Sequence, residues 1–112
     1  VKVDGLERAY EQKVDQLLQT LAYAEHWARH WLDVARYAES SGREVNVPYP
    51  QAWRYRDWVI DAYQNDKPYD QFLLEQLAGD LLPAQNDRRR AENQIATGFL
   101  AVGSRGLNEM NP

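Results

Sequence analysis

The sequence predicts an all-α domain, a compact bundle of about five helices with one long irregular loop at about residues 40–51. Apolar residues recur every three or four positions in five segments, which is the spacing of one face of a helix. Proline, glycine and Asn-Asp clusters separate these segments. No alternation of apolar and polar residues is long enough to predict a β-strand.

The chain has 112 residues, which suits a single domain with one core. It contains four Trp, seven Tyr and two Phe, and each aromatic side chain can bury about 150–250 Å². A net charge of −4 argues against binding to nucleic acid or to an anionic membrane surface. No apolar run reaches the ~18 residues of a membrane span. With no Cys, the chain has no disulfide, thiolate metal site or thiol nucleophile.

The first two helices are predicted from residue 4 to residue 39, with a break at residues 20–23. Asp4 and Glu7 have the spacing of a helix N-terminal capping box. The apolar positions that follow are Leu6, Tyr10, Val14, Leu17, Leu18 and Leu21. The second helix is predicted over residues 24–39 and ends at the Ser-Ser-Gly of residues 40–42. Its expected buried stripe is Trp27, Ala28, Trp31, Val34, Ala35 and Ala38.

An irregular connection precedes the third helix. Residues 43–51 carry two prolines and no helical period, and such a loop is more often functional or firmly packed than idle. The third helix is predicted over residues 52–63, with a buried stripe of Tyr55, Trp58, Val59, Ala62 and Tyr63. On its exposed side we expect Arg54 to reach Trp58 or Asp61.

The fourth helix is predicted to begin near Pro68 and to end at Pro83, and its many apolar positions predict a largely buried helix. Those positions include Tyr69, Phe72, Leu73, Leu74, Leu77, Leu81 and Leu82. A cap at residues 85–87 starts a fifth helix with the apolar row Ala91, Ile95, Phe99 and Val102. Three consecutive arginines in its first turn oppose the helix dipole, so we expect a frayed start or partners for them.

The candidate ligand-binding residues lie on the polar sides of the second and third helices. They are Arg29, His30, Asp33, Arg36, Tyr37, Arg54 and Asp57. Guanidinium groups could bind an anionic ligand in a bidentate way. Alternatively, these charges form pairs within and between helices, beginning with an Arg29–Asp33 pair at i,i+4. We favour the pairing interpretation and assign no catalytic residue.

A metal site is not predicted. His26 and His30 have the i,i+4 spacing of two ligands on a helix, but Trp27 stands where the zinc-protease pattern needs a Glu. The sequence shows no third ligand. Glu75 and Asp80 are interpreted as exposed helix carboxylates rather than as an acid–base pair.

Five ordered blocks of the chain resemble a known family, the planctomycete cytochrome-associated domain of unknown function. The blocks are His30-Trp31-Leu32-Asp33-Val34-Ala35-Arg36-Tyr37, Ala52-Trp53-Arg54-Tyr55-Arg56-Asp57-Trp58-Val59, Pro68-Tyr69-Asp70-Gln71-Phe72, Glu75-Gln76-Leu77-Ala78-Gly79-Asp80-Leu81-Leu82-Pro83 and Ile95-Ala96-Thr97-Gly98-Phe99-Leu100. The resemblance covers roughly residues 7–112. His26 departs from the family pattern, which has Arg there, and this weakens the metal interpretation further.

The resemblance implies a module of a large exported multidomain protein with a c-type cytochrome-like domain upstream. The family pattern continues beyond Leu107-Asn108-Glu109 into a Cys-x-x-Cys-His segment of the haem-attachment type. We therefore expect residues 1–112 to be the N-terminal helical half of a longer domain, with no cofactor of its own and c-type haem in the full-length protein. We also expect an exposed apolar face that packs on the rest of the domain, on neighbouring domains or on a second copy.

Two functions follow from these observations. The first is a helical packing module that supports or orients a haem centre and is not itself catalytic. The alternative is part of an enzyme or binding domain for a polysaccharide or other anionic ligand, which the Arg, His and Asp side chains named above would hold.

Overall fold

A computed structural model describes residues 2–42 and 46–103. Within this part the chain forms five α-helices and two short 3₁₀ turns. The helices are α1 (Lys2–Leu18), α2 (Leu21–Val34), α3 (Ala52–Gln64), α4 (Tyr69–Ala78) and α5 (Asp87–Ala96), and the 3₁₀ turns are Gly79–Leu81 and Thr97–Leu100. Neither described range contains a β-strand. An isolated antiparallel bridge joins Ser40 to Pro48. The predicted all-α class is confirmed.

The predicted break between the first two helices is confirmed at Thr20. The Thr20 hydroxyl accepts a hydrogen bond from the Tyr23 N–H at 3.2 Å and so caps α2. The helix begins at Leu21, three residues before the predicted start. At the other end, α1 begins at Lys2, so the predicted cap at Asp4 is wrong and Asp4 lies within the helix.

The ends of α2 and α3 share one backbone motif. After α2, Arg36 has a φ of 55°, its N–H donates to the Asp33 carbonyl, and the Tyr37 N–H donates to the Leu32 carbonyl. After α3, Asp66 has a φ of 47°, and the N–H groups of Asp66 and Lys67 bond back to the helix in the same way. This is the Schellman motif, usually made with glycine. It ends α2 at Val34, so the predicted extension to residue 39 is wrong.

The connection after α2 is irregular, as predicted, and partly tied together. Ser41 and Val47 exchange hydrogen bonds, with the Ser41 N–H on the Val47 carbonyl and the Val47 N–H on the Ser41 hydroxyl. The Gly42 N–H donates to Asn46 Oδ1 at 3.1 Å. The predicted loop residues 43–45 lie outside the described part of the chain. Because α2 ends early, the connection begins before residue 40.

The core is aromatic and lies between α2, α3 and α4. Tyr55 stacks on Trp58 with ring centroids 6.2 Å apart, and Trp58 stacks on Phe72 at 5.4 Å. Trp31 of α2 meets the edge of Phe72 at 4.9 Å and stacks on Phe99 at 5.9 Å. Small residues let the helices approach; those fully or nearly fully buried include Ala24, Ala28, Ala35, Ala52, Ala62 and Ala96.

The 3₁₀ turn after α4 packs tightly on α5. A Cβ added to Gly79 would lie 2.3 Å from the Asn93 carbonyl oxygen, so only glycine fits there. The side chain of Asn86 caps α5 by accepting from the Arg89 N–H at 2.8 Å. The three arginines have partners, as expected: Arg88 pairs with Glu92, Arg89 with Glu75 and Arg90 with Asp87.

Several residues predicted to be buried are exposed. On α2, Trp27 and Val34 face away from the core because only the narrower side with Ala28 and Trp31 packs on α3. The prediction that the fourth helix is largely buried is wrong, since α4 leaves four large side chains exposed: Tyr69, Leu74, Leu77 and, just beyond it, Leu81. None of the described residues of α1 is buried; its most exposed apolar side chains are Leu6, at 74%, and Tyr10, at 70%.

Candidate functional site

The core contains two clusters of polar side chains, and the first is built around the buried carboxylate of Glu75. The Glu75 side chain is only 3% exposed and pairs with the Lys67 ammonium and the Arg89 guanidinium. Lys67 comes from the α3–α4 connection and Arg89 from the first turn of α5. We call these three residues the Glu75 ion-pair centre. Each Glu75 oxygen accepts from one cation, so the negative charge is balanced inside the fold.

The helical spacing of α4 explains why Glu75 points inward. Phe72, Glu75 and Gln76 lie at i, i+3 and i+4, and all three are buried. The Lys67 ammonium also lies 4.7 Å from the centroid of the Trp58 ring, a cation–π distance. The ion-pair centre therefore ties the α3–α4 connection and α5 to α4, with an aromatic ring beside it.

Gln76 holds a second buried polar group together, which we call the Gln76 hydrogen-bond centre: Trp31, Tyr55 and Gln76. Gln76 Oε1 accepts from the Tyr55 hydroxyl at 2.6 Å and from Trp31 Nε1 at 2.7 Å. Its Nε2 donates to the Phe72 carbonyl at 2.9 Å. Trp31 Nε1 also donates to the Tyr55 hydroxyl at 3.2 Å. Burial raises the pKa of Tyr55 to about 12, and this hydrogen bond opposes the shift. This centre links α2, α3 and α4.

One buried amide has an unused acceptor. Asn93 is 2% exposed, and among the described residues no donor reaches its Oδ1. The residue lies on α5, where its backbone contacts Gly79. An unsatisfied buried acceptor costs free energy, so this position is a weak point of the core.

The sequence-predicted residues on α2 do not meet in a cleft. Arg29, His30, Asp33 and Arg36, which we call the α2 polar row, are all exposed. The predicted Arg29–Asp33 pair is absent from the ion pairs of the described residues. The ring of His30 instead contacts Trp27, with centroids 5.3 Å apart.

Tyr37 and Asp57, two other predicted residues, do come together, through partners that the sequence did not single out. The Tyr37 hydroxyl donates to Glu39 at 3.0 Å, and Arg56 pairs with Glu39 at 2.9 Å and with Asp57 at 3.1 Å. Burial, followed by the Glu39 hydrogen bond, raises the pKa of Tyr37 to about 12. The hydrogen bond to Asp57 raises the pKa of Arg56. This group joins α3 to the connection after α2.

Arg54, the remaining predicted residue, is exposed. Its guanidinium carbon lies 5.5 Å from the Trp53 ring centroid, so the expected contact with Trp58 or Asp61 is replaced by one with its neighbour. Arg54 also borders a groove of about 470 Å³ between α3 and α5. None of the other candidate residues from the sequence lines this groove.

Glu75 shows what sequence reasoning missed. The sequence suggested an exposed carboxylate, whereas the structure buries it with two cations. The available signal was its place one helical turn after Phe72, on the apolar row of the fourth helix. Neither Lys67, eight residues before it, nor Arg89, fourteen residues after it, could be assigned as a partner by helical spacing.

The described residues form no cluster of three or more His, Cys, Asp or Glu side chains that could hold a metal ion. Within the same part of the chain, no helix has both the length and the apolar character needed to cross a membrane. The chemistry that the geometry does support is pairing between helices. The buried Glu75 carboxylate bonds to two partly exposed cations, and the buried Gln76 amide bonds to the Tyr55 phenol.

Comparison with known proteins places the chain in a family. The family described as "PSCyt2: Protein of unknown function (DUF1549)" matches residues 2–111. Comparison with curated proteins gave no significant match. Comparison with solved structures gave none either. Since the match covers nearly the whole length of an all-α chain, the chain belongs to the PSCyt2 family of proteins of unknown function, DUF1549.

Proposed function

We propose that this domain is a helical packing module and is not itself an enzyme. In the exported, cytochrome-linked multidomain protein that the sequence resemblance implies, it would support the part that carries c-type haem. The domain would hold no cofactor of its own. Its contribution would be a rigid core of α2 to α5 that positions neighbouring parts of the protein.

The observation that carries this proposal is the complete pairing of Glu75 with Lys67 and Arg89. A catalytic carboxylate needs at least one oxygen that substrate can reach. In contrast, both oxygens of Glu75 accept hydrogen bonds from cations of two other segments. Gln76 is used in the same way, by Trp31 and Tyr55. Two of the most buried polar side chains, Glu75 and Gln76, therefore connect helices.

The alternative, a site for a polysaccharide or other anionic ligand, has less support from the geometry. It needs the cations of the α2 polar row and Arg54 to converge on one concavity. Arg54 borders a groove, but the α2 polar row does not contribute to that groove. The Arg54 guanidinium also lies over Trp53, an exposed contact on its own helix.

The exposed apolar side of α1 supports the packing role. Leu6, Tyr10, Leu17 and Leu18 lie on this helix with about half or more of each side chain exposed. A row of large apolar side chains left in water is typical of an interaction surface. We propose that the rest of the domain, a neighbouring domain or a second copy covers it.

The test uses the longer protein, extended through the Cys-x-x-Cys-His segment and expressed under conditions that attach c-type haem. We would compare the wild type with Glu75→Gln, which leaves Lys67 and Arg89 without their carboxylate. Glu25→Gln is the matched control, because Glu25 is an exposed glutamate on α2 that makes no ion pair with a described residue. Haem content, reduction potential and thermal stability are measured for each.

If the domain supports the haem centre, Glu75→Gln lowers thermal stability together with haem retention or shifts the potential, and Glu25→Gln changes neither. Absence of haem from every variant would remove the cytochrome part of the proposal. Unchanged haem content and potential in a destabilised Glu75→Gln protein would show that the domain does not act as a support.

A further inference from the structure

A small pocket with aromatic walls lies where three helix ends meet. Its volume is about 230 Å³. Four aromatic side chains line it: Tyr23, Tyr63, Tyr69 and Phe72. Tyr23 lies in the first turn of α2, Tyr63 near the end of α3, and Tyr69 at the start of α4. None of these residues belongs to the two buried polar centres.

The rings are held by the fold. Phe72 is almost fully buried, and Tyr63 meets it edge to face, with centroids 6.0 Å apart and an interplanar angle of 68°. Tyr23 leans towards Trp27 at 6.3 Å. Tyr69 remains largely exposed, at 66%, so the pocket has an open side.

Two charged residues also line the pocket, and only the acidic one is free. The Lys67 ammonium is turned to Glu75 and Trp58. The backbone of Asp66 makes the Schellman motif after α3, but its carboxylate has no hydrogen bond or ion pair to any described residue. The available charge at this pocket is therefore negative.

Acidic side chains, and not helix dipoles, give this region its negative charge. The amino ends of α2 and α4 and the carbonyl end of α3 all approach the pocket, so the dipoles do not favour a cation there. Asp70, in the first turn of α4, adds a second carboxylate nearby in the chain. Burial, with smaller contributions from Tyr23 and Tyr69, raises the pKa of Tyr63, so its phenol stays neutral at physiological pH.

We propose that this pocket binds a small organic cation, of the alkylammonium class that includes quaternary ammonium groups. Aromatic faces attract such cations within about 6 Å, and aromatic cages are a recurring way to bind them. Asp66 supplies the compensating charge at the rim. This inference does not rest on the packing role, because Tyr23, Tyr69 and Asp66 lie outside the two buried polar centres.

The two alternative ligand classes for this pocket are a neutral sugar and an anion. Tyrosine rings and a carboxylate also occur in sugar sites. An anion would need a free cation, and Lys67 is already occupied by Glu75. Both ligands are included in the test.

The experiment is a titration of the protein with choline, followed by calorimetry and by chemical-shift changes in NMR. Its comparison ligands are the uncharged isostere 3,3-dimethylbutan-1-ol, glucose and acetate. Tyr69→Leu removes the exposed ring, and Asp66→Asn removes the charge while tolerating the positive φ. Tyr10→Leu and Asp15→Asn, exposed on α1, are the matched controls, since Tyr10 is 70% exposed and Tyr69 is 66% exposed.

We expect saturable binding of choline in the millimolar range or tighter, and weaker binding of the isostere. Tyr69→Leu and Asp66→Asn each weaken choline binding by about two- to fivefold, in line with the size of exposed cation–π and charge interactions. The two α1 variants bind like the wild type. The proposal would be overturned if choline binding did not saturate or if the uncharged isostere bound equally well. Preference for glucose or acetate, or an equal loss of binding in the two α1 variants, would also overturn it.

Discussion

The Glu75 ion-pair centre and the α2 polar row contain similar side chains in opposite environments. Each combines a carboxylate with two cations, Lys67 and Arg89 in one, Arg29 and Arg36 in the other. In the ion-pair centre the carboxylate is 3% exposed and its partners arrive from other segments. In the α2 polar row every residue is exposed, and the described residues provide no ion pair for Asp33. Proximity along one helix did not produce pairing, whereas burial did.

The difference follows from the dielectric environment. Two exposed charges gain little from pairing, because water screens them and ordering long side chains costs entropy. A buried carboxylate has no water to solvate it, so a fold that buries it must supply cations. Four predictions test this contrast, in order of decreasing effect.

The largest effect is expected from Glu75→Ala. It removes the carboxylate that pairs with the partly buried Lys67 and leaves Arg89 with the more distant Glu92, at 3.6 Å. Breaking a buried pair destabilises a protein by about 3–5 kcal/mol. For a domain of this size each kcal/mol of lost stability lowers Tm by about 4–8 °C. The Tm of Glu75→Ala should therefore fall by more than about 10 °C. Chemical denaturation and thermal melts by circular dichroism measure it.

A triple variant, Lys67→Met, Glu75→Leu and Arg89→Met, is the control. Because it replaces the whole ion-pair centre with apolar side chains, it should recover most of the stability lost in Glu75→Ala. A triple variant as unstable as Glu75→Ala would mean that packing around residue 75, and not the unpaired charges, causes the loss.

The second prediction concerns alkaline pH. The pKa of Tyr55 is about 12 in the fold and 10 in the unfolded chain, so the folded state favours the neutral phenol. Its stability contribution is present below pH 10 and is lost as pH rises from about 10 to 12, by about 2–3 kcal/mol in all. Denaturant titrations across this range should show a shallower decline in Tyr55→Phe, and an equal decline would contradict the role of Tyr55.

Gln76→Leu should have the third effect. The buried Tyr55 hydroxyl loses its acceptor, while Trp31 keeps a hydrogen bond to that hydroxyl at 3.2 Å. A buried donor without an acceptor costs about 1–3 kcal/mol. The expected measurement is a matching fall in the free energy of unfolding. Gln94→Leu on the exposed side of α5 serves as the comparison and should change it little; similar losses in both variants would argue against the hydrogen-bond centre.

Asp33→Ala should have the smallest effect. Asp33 is exposed and makes no ion pair with a described residue, and such surface substitutions change stability by about 0.5 kcal/mol or less. Thermal melts measured at low and high salt suffice. A Tm loss of several degrees that disappears in Arg29→Ala would instead show that the predicted Arg29–Asp33 pair forms in solution.

The elements of the fold were predictable because their signals are local. Apolar spacing located the five helices of the described residues, and the cap predicted at residues 85–87 is Asn86. The break at residues 20–23 was predicted, but the start of α2 was placed three residues too late. The end of α2 was missed because Arg36, rather than a glycine, adopts the left-handed conformation. The burial of α4 was overestimated because its sequence contains many apolar residues. An apolar side chain can also lie at the surface, as Leu74 and Leu77 do.

The polar centres were harder to predict because they depend on distances between segments. Lys67, Glu75 and Arg89 are separated by eight and fourteen positions, and helical spacing cannot relate them. The row Arg29, His30, Asp33 and Arg36 attracted attention because its members share one predicted helix, although Arg36 lies beyond the end of α2. The aromatic pocket likewise assembles from Tyr23, Tyr63 and Tyr69, at three separate helix ends.

The isolation of α1 has a consequence for how the protein denatures. None of its described residues is buried, and a lone helix of 17 residues is only marginally stable in water. Unless another surface covers it, α1 should fray while α2 to α5 remain folded, so amide hydrogens would exchange there first. Proteases would then remove this N-terminal segment and leave a shorter, resistant product that retains the aromatic core.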